Sequence, residues 1–316
     1  MTVGASGAGG HPLWFFGTGA FAARCLEVIH DETPFSVVVT SPPARGGRGL
    51  KLIHSPVEET CGRLGIPVRH SSAVGDDGEL LSLLKEAPPL AILVVDFGQK
   101  IPEPYLSAPL EGCLNIHPSL LPRYRGAAPV QRALMNGDSV TGVSLFRLVE
   151  EMDAGPVLLQ EEFAAGELSA GELLEALAEI GGKLFLLGVK CLIEGSCAFK
   201  EQDSESVSYA PKIEKNEAEI FWDQPATNVV NRVRALNPSP GAFFFMGKKR
   251  VKIWGARLSG MAGASGEIIG FDGDLPVAGT AEGAVVLVSV QPEGGRRISG
   301  AEWARGLRLE KGDFLR

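Results

Sequence analysis

Short apolar runs alternate with helix-length amphipathic segments through the first part of the chain. Residues 13–16, 35–40, 90–95 and 113–116 have the length and composition of strands, while 20–29, 56–64 and 79–86 read as helices. Gly65 and Pro67 close the second helix, one by admitting a left-handed turn and the other by lacking an N–H. This alternation predicts a parallel sheet covered by helices on both faces. A longer helix over 171–192, with Ser169 as its possible cap, ends the region. The next stretch, EGSCAFKEQDSESVSYAPK, is polar and poor in β-formers, as a linker is. Beyond it the rhythm changes to a short helix over 227–236 and β-rich pieces at 242–246, 250–254, 266–269 and 284–290, separated by glycines. That is the reading of a small β-barrel. The expected fold is α/β: a Rossmann-like, mostly parallel sheet domain followed by a small OB-like β-barrel domain. Its divisions are a disordered tail at 1–10, a first domain at 11–199, a linker at 200–212 and a C-terminal domain at 213–316.

Length supports two domains, since 316 residues give each half enough chain for its own core. Hydrophobic residues at 45% and charged residues at 22% exclude a disordered polyampholyte. No run of about eighteen uncharged apolar residues is present, which argues against a membrane span. The start, MTVGASGAGGHP, is too polar and Gly-rich for a secretory or transit segment and reads as a frayed tail on a cytoplasmic protein. The five cysteines, Cys25, Cys61, Cys113, Cys191 and Cys197, are odd in number and lack a C-x-x-C pair. They predict reduced thiols, with neither a disulfide framework nor a zinc site.

Charge changes the picture more. The net charge of −8 is uneven: residues 1–200 carry 15 basic and 23 acidic side chains, and residues 201–316 carry 15 of each. Positions 224–266 contain no carboxylate and seven cations: Arg232, Arg234, Lys248, Lys249, Arg250, Lys252 and Arg257. Such a run either holds phosphates or is a solvated face.

Candidate chemistry begins at Gly17-Thr18-Gly19, with Ala22 following, which has the form of a phosphate-binding turn after a strand. The second strand ends in Thr40-Ser41-Pro42-Pro43, without the acidic residue that would hold a ribose. The favoured reading is therefore close strand–helix packing, not NAD binding. The densest polar cluster is Asn115-Ile116-His117-Pro118-Ser119-Leu120-Leu121-Pro122-Arg123-Tyr124-Arg125-Gly126. Asn115 and His117, two apart on an extended segment, share a face where a strand runs out, and ligands bind beyond such ends in open parallel sheets. An amide can donate to a developing oxyanion and an imidazole can accept a proton; a histidine capping the loop is the alternative. A histidine base needs a carboxylate. Asp153, in the break Glu150-Glu151-Met152-Asp153-Ala154-Gly155-Pro156, supplies one, with Glu150 and Glu151 as rivals and an Asx turn as its structural alternative.

Taken together, these residues resemble a family. Asn115-x-His117-x-Ser119-Leu120-Leu121-Pro122, continued by 124–133, Thr141-Gly142-Val143 and 152–156, resembles the folate-dependent formyltransferases. Ala127-Ala128-Pro129 with Gln131-Arg132, the loop 45–51, Tyr209-Ala210-x-Lys212-Ile213 and the segment 234–242 look like the methionyl-tRNA formyltransferases within that group. The resemblance implies transfer of a formyl group from 10-formyltetrahydrofolate to the α-amine of methionine on initiator tRNA, with no metal. It assigns catalysis to Asn115, His117 and Asp153, and the folate to the segment 94–102, with Phe97, Gly98 and Ile101, and to Ser119, Leu120, Leu121 and Pro122. The tRNA falls to Arg45, Arg48 and Lys51 and to Arg232, Arg234, Lys248, Lys249, Arg250 and Lys252. The implied protein is a cytoplasmic monomer. Asp96 and Lys100 depart from the small or apolar residues expected beside the pterin, and Pro43-Ala44 replaces the usual Asp-Arg. Five Gly or Pro residues in the loop 42–51 predict disorder without RNA. Two other readings are a formyltransferase for a sugar-nucleotide or ribonucleotide amine, and a nucleic-acid-binding protein with an inactive Rossmann-like half.

Overall fold

The structure, a computed structural model, describes residues 12–46 and 51–315. The predicted tail at 1–10 and Arg48 of the loop lie outside the described residues. In chain order, the first elements are β1 (Leu13–Gly17), α1 (Ala20–His30), β2 (Val37–Thr40), β3 (Ala44–Gly46), β4 (Lys51–Ile53), α2 (Pro56–Leu64), β5 (Arg69–His70), α3 (Gly78–Glu86), β6 (Ala91–Val95) and β7 (Cys113–His117). They are followed by α4 (Pro129–Met135), β8 (Val140–Arg147), β9 (Val157–Ala164) and α5 (Ala170–Glu194). The remainder comprises α6 (Ala226–Ala235), β10 (Ala242–Met246), β11 (Lys249–Ser259), β12 (Ile268–Asp272), β13 (Leu275–Gly279), β14 (Ala284–Pro292), β15 (Ile298–Ser299) and α7 (Gly300–Leu307).

The first sheet runs β5-β2-β1-β6-β7-β8-β9. Its pairs β2–β5, β1–β2, β1–β6 and β6–β7 are parallel, and β7–β8 is antiparallel. All five residues of β1 and all five of β6 are buried, which is why both read as unbroken apolar runs rather than alternating ones. Trp14, Phe16, Ile92, Val94, Leu80 and Leu84 pack together in one core cluster. Helix α2 begins as its sequence dictates: the Ser55 hydroxyl accepts from Glu58 N at 3.0 Å, Pro56 takes the first turn, and Gly65 ends it at φ +71°.

The second sheet is antiparallel, in the order β10-β11-β14-β13-β12, with β15 paired to β14. Its core gathers Trp222, Val229, Phe244, Ile253, Leu287 and Trp303. Contacts divide the chain into two units, one of Met1–Gly126, Thr141–Phe163 and Leu174–Tyr209, the other of Ala127–Val140, Ala164–Leu173 and Ala210–Arg316. The division is not a single cut near residue 200. Helix α4 sorts with the second unit because Arg132 bonds Glu217 and the carbonyls of Pro211 and Lys212 there. The first part of the expected linker belongs to the first unit: Lys200 exchanges two backbone hydrogen bonds of 2.8 Å with Val157, and Ser208 O accepts from Arg125 N at 2.9 Å.

Two expectations are corrected. Cys191 and Cys197 form a disulfide, with Cα atoms 5.5 Å apart, while Cys25, Cys61 and Cys113 are buried free thiols. The spacing hid this pair because the turn ending α5 makes it: Gly195 at φ +63° reverses the chain, and Ser196 N donates to Cys191 O at 2.9 Å. The loop 42–51 is likewise not irregular throughout. Its flanks pair as an antiparallel ladder, Ala44 with Ile53, Arg45 with Leu52 and Gly46 with Lys51. Backbone bonding there overrides the composition, although Arg45, Lys51, Leu52 and Ile53 all face solvent.

Candidate active site

Strand β7 places Asn115 and His117 on one face, because side chains alternate along a strand. Asn115 is half-buried between Val94 of β6 and Phe146 of β8 in register. Among the described residues its amide has no intramolecular hydrogen-bond partner. His117 is only 5% exposed. Its Nε2 lies 2.9 Å from the Tyr124 carbonyl oxygen, which can only accept, so this nitrogen carries the proton and donates. Nδ1 is left as the basic nitrogen, 3.8 Å from Asp153 Oδ2. Burial pushes the imidazole below its ordinary range, while the Asp153 carboxylate and the bond to Tyr124 act in the opposite direction. His117 is therefore mainly neutral near pH 7, with Nδ1 unprotonated.

Asp153 reaches this place from a left-handed position, φ +52°, in the turn between β8 and β9. Its Oδ2 accepts from Gly126 N at 2.7 Å, so the carboxylate joins its own turn to the loop after β7. The rivals are disposed differently: the exposed Glu150 lies 3.4 Å from Lys100, and the exposed Glu151 lies 3.4 Å from Arg125.

The loop carrying Ser119, Leu120, Leu121 and Pro122 is held from within. Ser119 Oγ donates to Arg123 O at 2.7 Å, and Ser144 Oγ donates to Ser119 O at 2.6 Å while accepting from Leu121 N at 3.0 Å. Gln160 Nε2 completes the group with 2.8 Å bonds to Leu121 O and Ser144 Oγ. Ser119 and Leu121 are thus buried in the loop's own scaffold. On the neighbouring segment after β6, Phe97 and Ile101 also point into the core, Phe97 with its ring 5.5 Å from that of Phe16, and Gly98 is exposed. Asp96, at φ +43°, accepts from the Thr18 and Gly19 N–H groups at 3.1 and 3.2 Å through its carbonyl. A Cβ on Gly19 would lie 1.7 Å from the Asp96 carboxylate, and one on Gly17 would lie 2.6 Å from the Phe15 ring. These glycines are required by close packing, and the turn spends amides on Asp96.

The second-unit cations sort into two groups. Arg232 Nη1 donates to Glu219 O at 2.8 Å, and Arg234 Nη1 donates to Gly166 O at 2.6 Å; burial lowers the pKa of both. Lys252 donates to Pro240 O at 2.6 Å and lies over the Trp254 ring. Lys248, Lys249 and Arg250 are exposed around the β10–β11 turn, with Arg250 over the Phe243 ring. Arg257 pairs with Asp272, a carboxylate that the primary sequence keeps outside the basic run.

Sequence reasoning missed the groups that hold the site: Ser144, Gln160, the Tyr124 carbonyl and Gln202. Gln202 Nε2 donates to Asp153 O and Gly155 O at 2.8 and 2.7 Å. It stands in a segment whose polar composition carried no signal of its own.

A parallel-sheet unit with a histidine–carboxylate pair at a strand end, followed by an antiparallel β unit, defines an α/β enzyme with an appended β domain. The chain belongs to the formyl transferase family: the family model described as formyl transferase matches residues 13–188, and that described as formyl transferase, C-terminal domain, matches 212–308. It is 37% identical over 309 residues to the methionyl-tRNA formyltransferase of Moorella thermoacetica, covering 96% of this chain and 98% of that one. It is 39% identical over 300 residues to the enzyme of the same name from Paracoccus denitrificans, covering 93% and 97%. Among solved structures, methionyl-tRNA formyltransferase from Clostridium thermocellum has a TM-score of 0.57 at 15% identity, covering 79% of this chain and 94% of that one. HypX from Aquifex aeolicus in complex with tetrahydrofolic acid has a TM-score of 0.63 at 18% identity, covering 97% of this chain and 50% of that one; this chain thus spans half of HypX. Both structural likenesses concern the fold alone. No helix among the described residues is long and apolar enough to cross a membrane.

Proposed function

We propose that this protein transfers the formyl group of 10-formyltetrahydrofolate to the α-amine of methionyl initiator tRNA. The carrying observation is near-full-length similarity, at 37% and 39% identity, to enzymes named for that reaction. The geometry at the end of β7 supplies a chemistry to match. The neutral amine attacks the formyl carbon, and the carbonyl oxygen takes up the negative charge. The Asn115 amide, uncommitted to any described partner, donates to that oxyanion. The attacking nitrogen becomes an ammonium, and His117 Nδ1 accepts its proton while Nε2 stays bound to the Tyr124 carbonyl. Asp153 balances the imidazolium. The same proton then passes to N10 as its bond to carbon breaks, leaving tetrahydrofolate and formylmethionyl-tRNA. No covalent enzyme intermediate is needed.

The folate is assigned to the segment 94–102 and the loop of Ser119 to Pro122. Phe97 and Ile101 act from the core side, and exposed Gly98 admits close approach to its backbone. For the tRNA, Lys248, Lys249 and Arg250 take phosphates, Lys252 lends charge beside them, and Arg232 and Arg234 shape α6 through their internal bonds. Arg45, Arg48 and Lys51 address the acceptor end. The protein works as a cytoplasmic monomer. Incubation with 10-formyltetrahydrofolate and methionyl initiator tRNA tests the reading, with an amino-sugar nucleotide as the competing acceptor. Formylmethionine on the tRNA is expected; formylation of the sugar alone would overturn it.

A further inference from the structure

We propose that Gln202 is a positioning residue for catalysis, holding the Asp153 turn against the Arg125 loop so that the carboxylate stays beside His117. The inference rests on the role given to Asp153 above. Gln202 uses its whole amide. Its Oε1 accepts from Arg125 Nε at 3.1 Å and Nη2 at 2.9 Å, and its Nε2 donates to Asp153 O at 2.8 Å and Gly155 O at 2.7 Å. The orientation is forced, because a flipped amide would set NH2 against a guanidinium and oxygen against two carbonyls.

The two segments joined in this way are those that fix the His117–Asp153 pair. Arg125, only 7% exposed, is followed by Gly126, whose N–H donates to Asp153 Oδ2. Asp153 stands at φ +52°, a conformation that a non-glycine residue keeps only when its surroundings impose it. Gly155 is pressed against β8, where a Cβ would lie 1.8 Å from Arg147 O. The clamp therefore grips both sides of Ala154. Without it the turn keeps its carboxylate contact to Gly126 but loses both donors to its backbone. None of the Gln202 side-chain hydrogen bonds goes to Asn115 or to the His117 ring, so the proposed effect passes through Asp153.

The test compares Gln202→Leu, Gln202→Glu and Asp153→Asn, alone and with Gln202→Leu added to Asp153→Asn. In full-length protein, Gln202→Leu should lower kcat by about ten- to a hundredfold, the range expected of a misplaced catalytic group, with KM for folate and tRNA unchanged. Its acidic pH–rate limb should move to lower pH, because a loosened Asp153 raises the His117 pKa less. Gln202→Glu keeps the acceptor for Arg125 but turns a carboxylate onto two carbonyls, so it should be at least as slow as Gln202→Leu. If Gln202 merely accepted from Arg125, Gln202→Glu would instead retain wild-type kcat, which overturns the proposal. In the Asp153→Asn background, adding Gln202→Leu should cost little more; a full multiplicative loss also overturns it. Should Gln202→Leu melt below the assay temperature, Gln202→Glu decides the matter by the same kcat comparison. Near-normal turnover in Asp153→Asn would sink the site reading itself, whereas a slow Asp153→Asn beside a normal Gln202→Leu would sink the clamp alone.

Discussion

The cluster around His117 and the turn between β10 and β11 handle polar groups in opposite ways. Around His117 they are buried and mostly answered from within: imidazole by carbonyl, carboxylate by a backbone N–H, Ser119 and Ser144 by the loop they brace. At the β10–β11 turn, Lys248 and Lys249 stand in solvent without an ion pair among the described residues. A buried group fixed by short hydrogen bonds acts through position, and water screens it little. An exposed ammonium acts through charge, at a range set by salt. The two regions should therefore fail differently: mutation of the first should remove rate and leave binding, and mutation of the second should do the reverse.

The largest effect is expected at Asn115. In Asn115→Ala, kcat should fall by about a hundredfold or more if, as proposed, its amide serves charge that exists only in the transition state. The Kd for methionyl-tRNA should not move. Single-turnover formylation with a separate binding assay measures both, and near-wild-type turnover would break the comparison at its strongest point. Next comes the pH profile. His117 accepts a proton only when neutral, so kcat/KM should rise with pH through its pKa, and burial sets that pKa below the ordinary imidazole value of about 6.5. Asp153 raises it, so Asp153→Asn should slow the reaction and shift the remaining limb further toward acid. A shift toward alkaline pH would contradict the electrostatic role of the carboxylate.

Much of this cluster was legible because its parts are local in sequence. Asn115 and His117 owe their shared face to strand periodicity, and β7 extends one residue past the expected 116 to include the histidine itself. The apolar runs of β1 and β6 likewise announced a sheet buried on both faces. What escaped was tertiary. Gln202 acts on residues 47 and 49 positions away, from a stretch whose composition says only linker. In the basic run, sequence could not tell that α6 would turn Arg232 and Arg234 onto carbonyls, or that β12 would bring Asp272 to Arg257. One missed element did have a signal: Ser299 and Glu302 form the capping box that starts α7, and Ser-x-x-Glu was there to be read.

A more moderate effect sharpens the second half of the comparison. Lys249→Ala should weaken initiator and elongator tRNAs alike and lower the slope of log K against log salt by about one, the signature of a single lost phosphate contact. Arg234→Ala should alter that slope less, since its guanidinium is already bonded to Gly166 O and Asn231 Oδ1. Equal slopes for the two variants, measured by filter binding at several salt concentrations, would show that internal bonding does not sort these cations.

The smallest effect concerns a charge pair between the two extremes in exposure. Arg132 of α4 bonds both oxygens of Glu217, with Nη2 to Oε1 at 2.9 Å, and the side chains are 18% and 32% exposed. The Arg132 guanidinium, helped by the Glu214 N–H, lowers the Glu217 carboxyl to about 2. Because the folded value lies below the unfolded one, the stabilisation is complete above the unfolded pKa of about 4.3 and is lost as pH falls toward about 2. Partial exposure to solvent limits it to about 1 kcal/mol or less. Glu217→Gln keeps an oxygen for the Glu214 N–H while removing the charge and one of the two acceptors that Arg132 uses. Urea unfolding at pH 7 should thus show a loss of that size, and the difference between variant and wild type should shrink as the medium is acidified below pH 4. A difference that persisted undiminished at low pH would mean that packing, rather than ionisation, holds Glu217 in place.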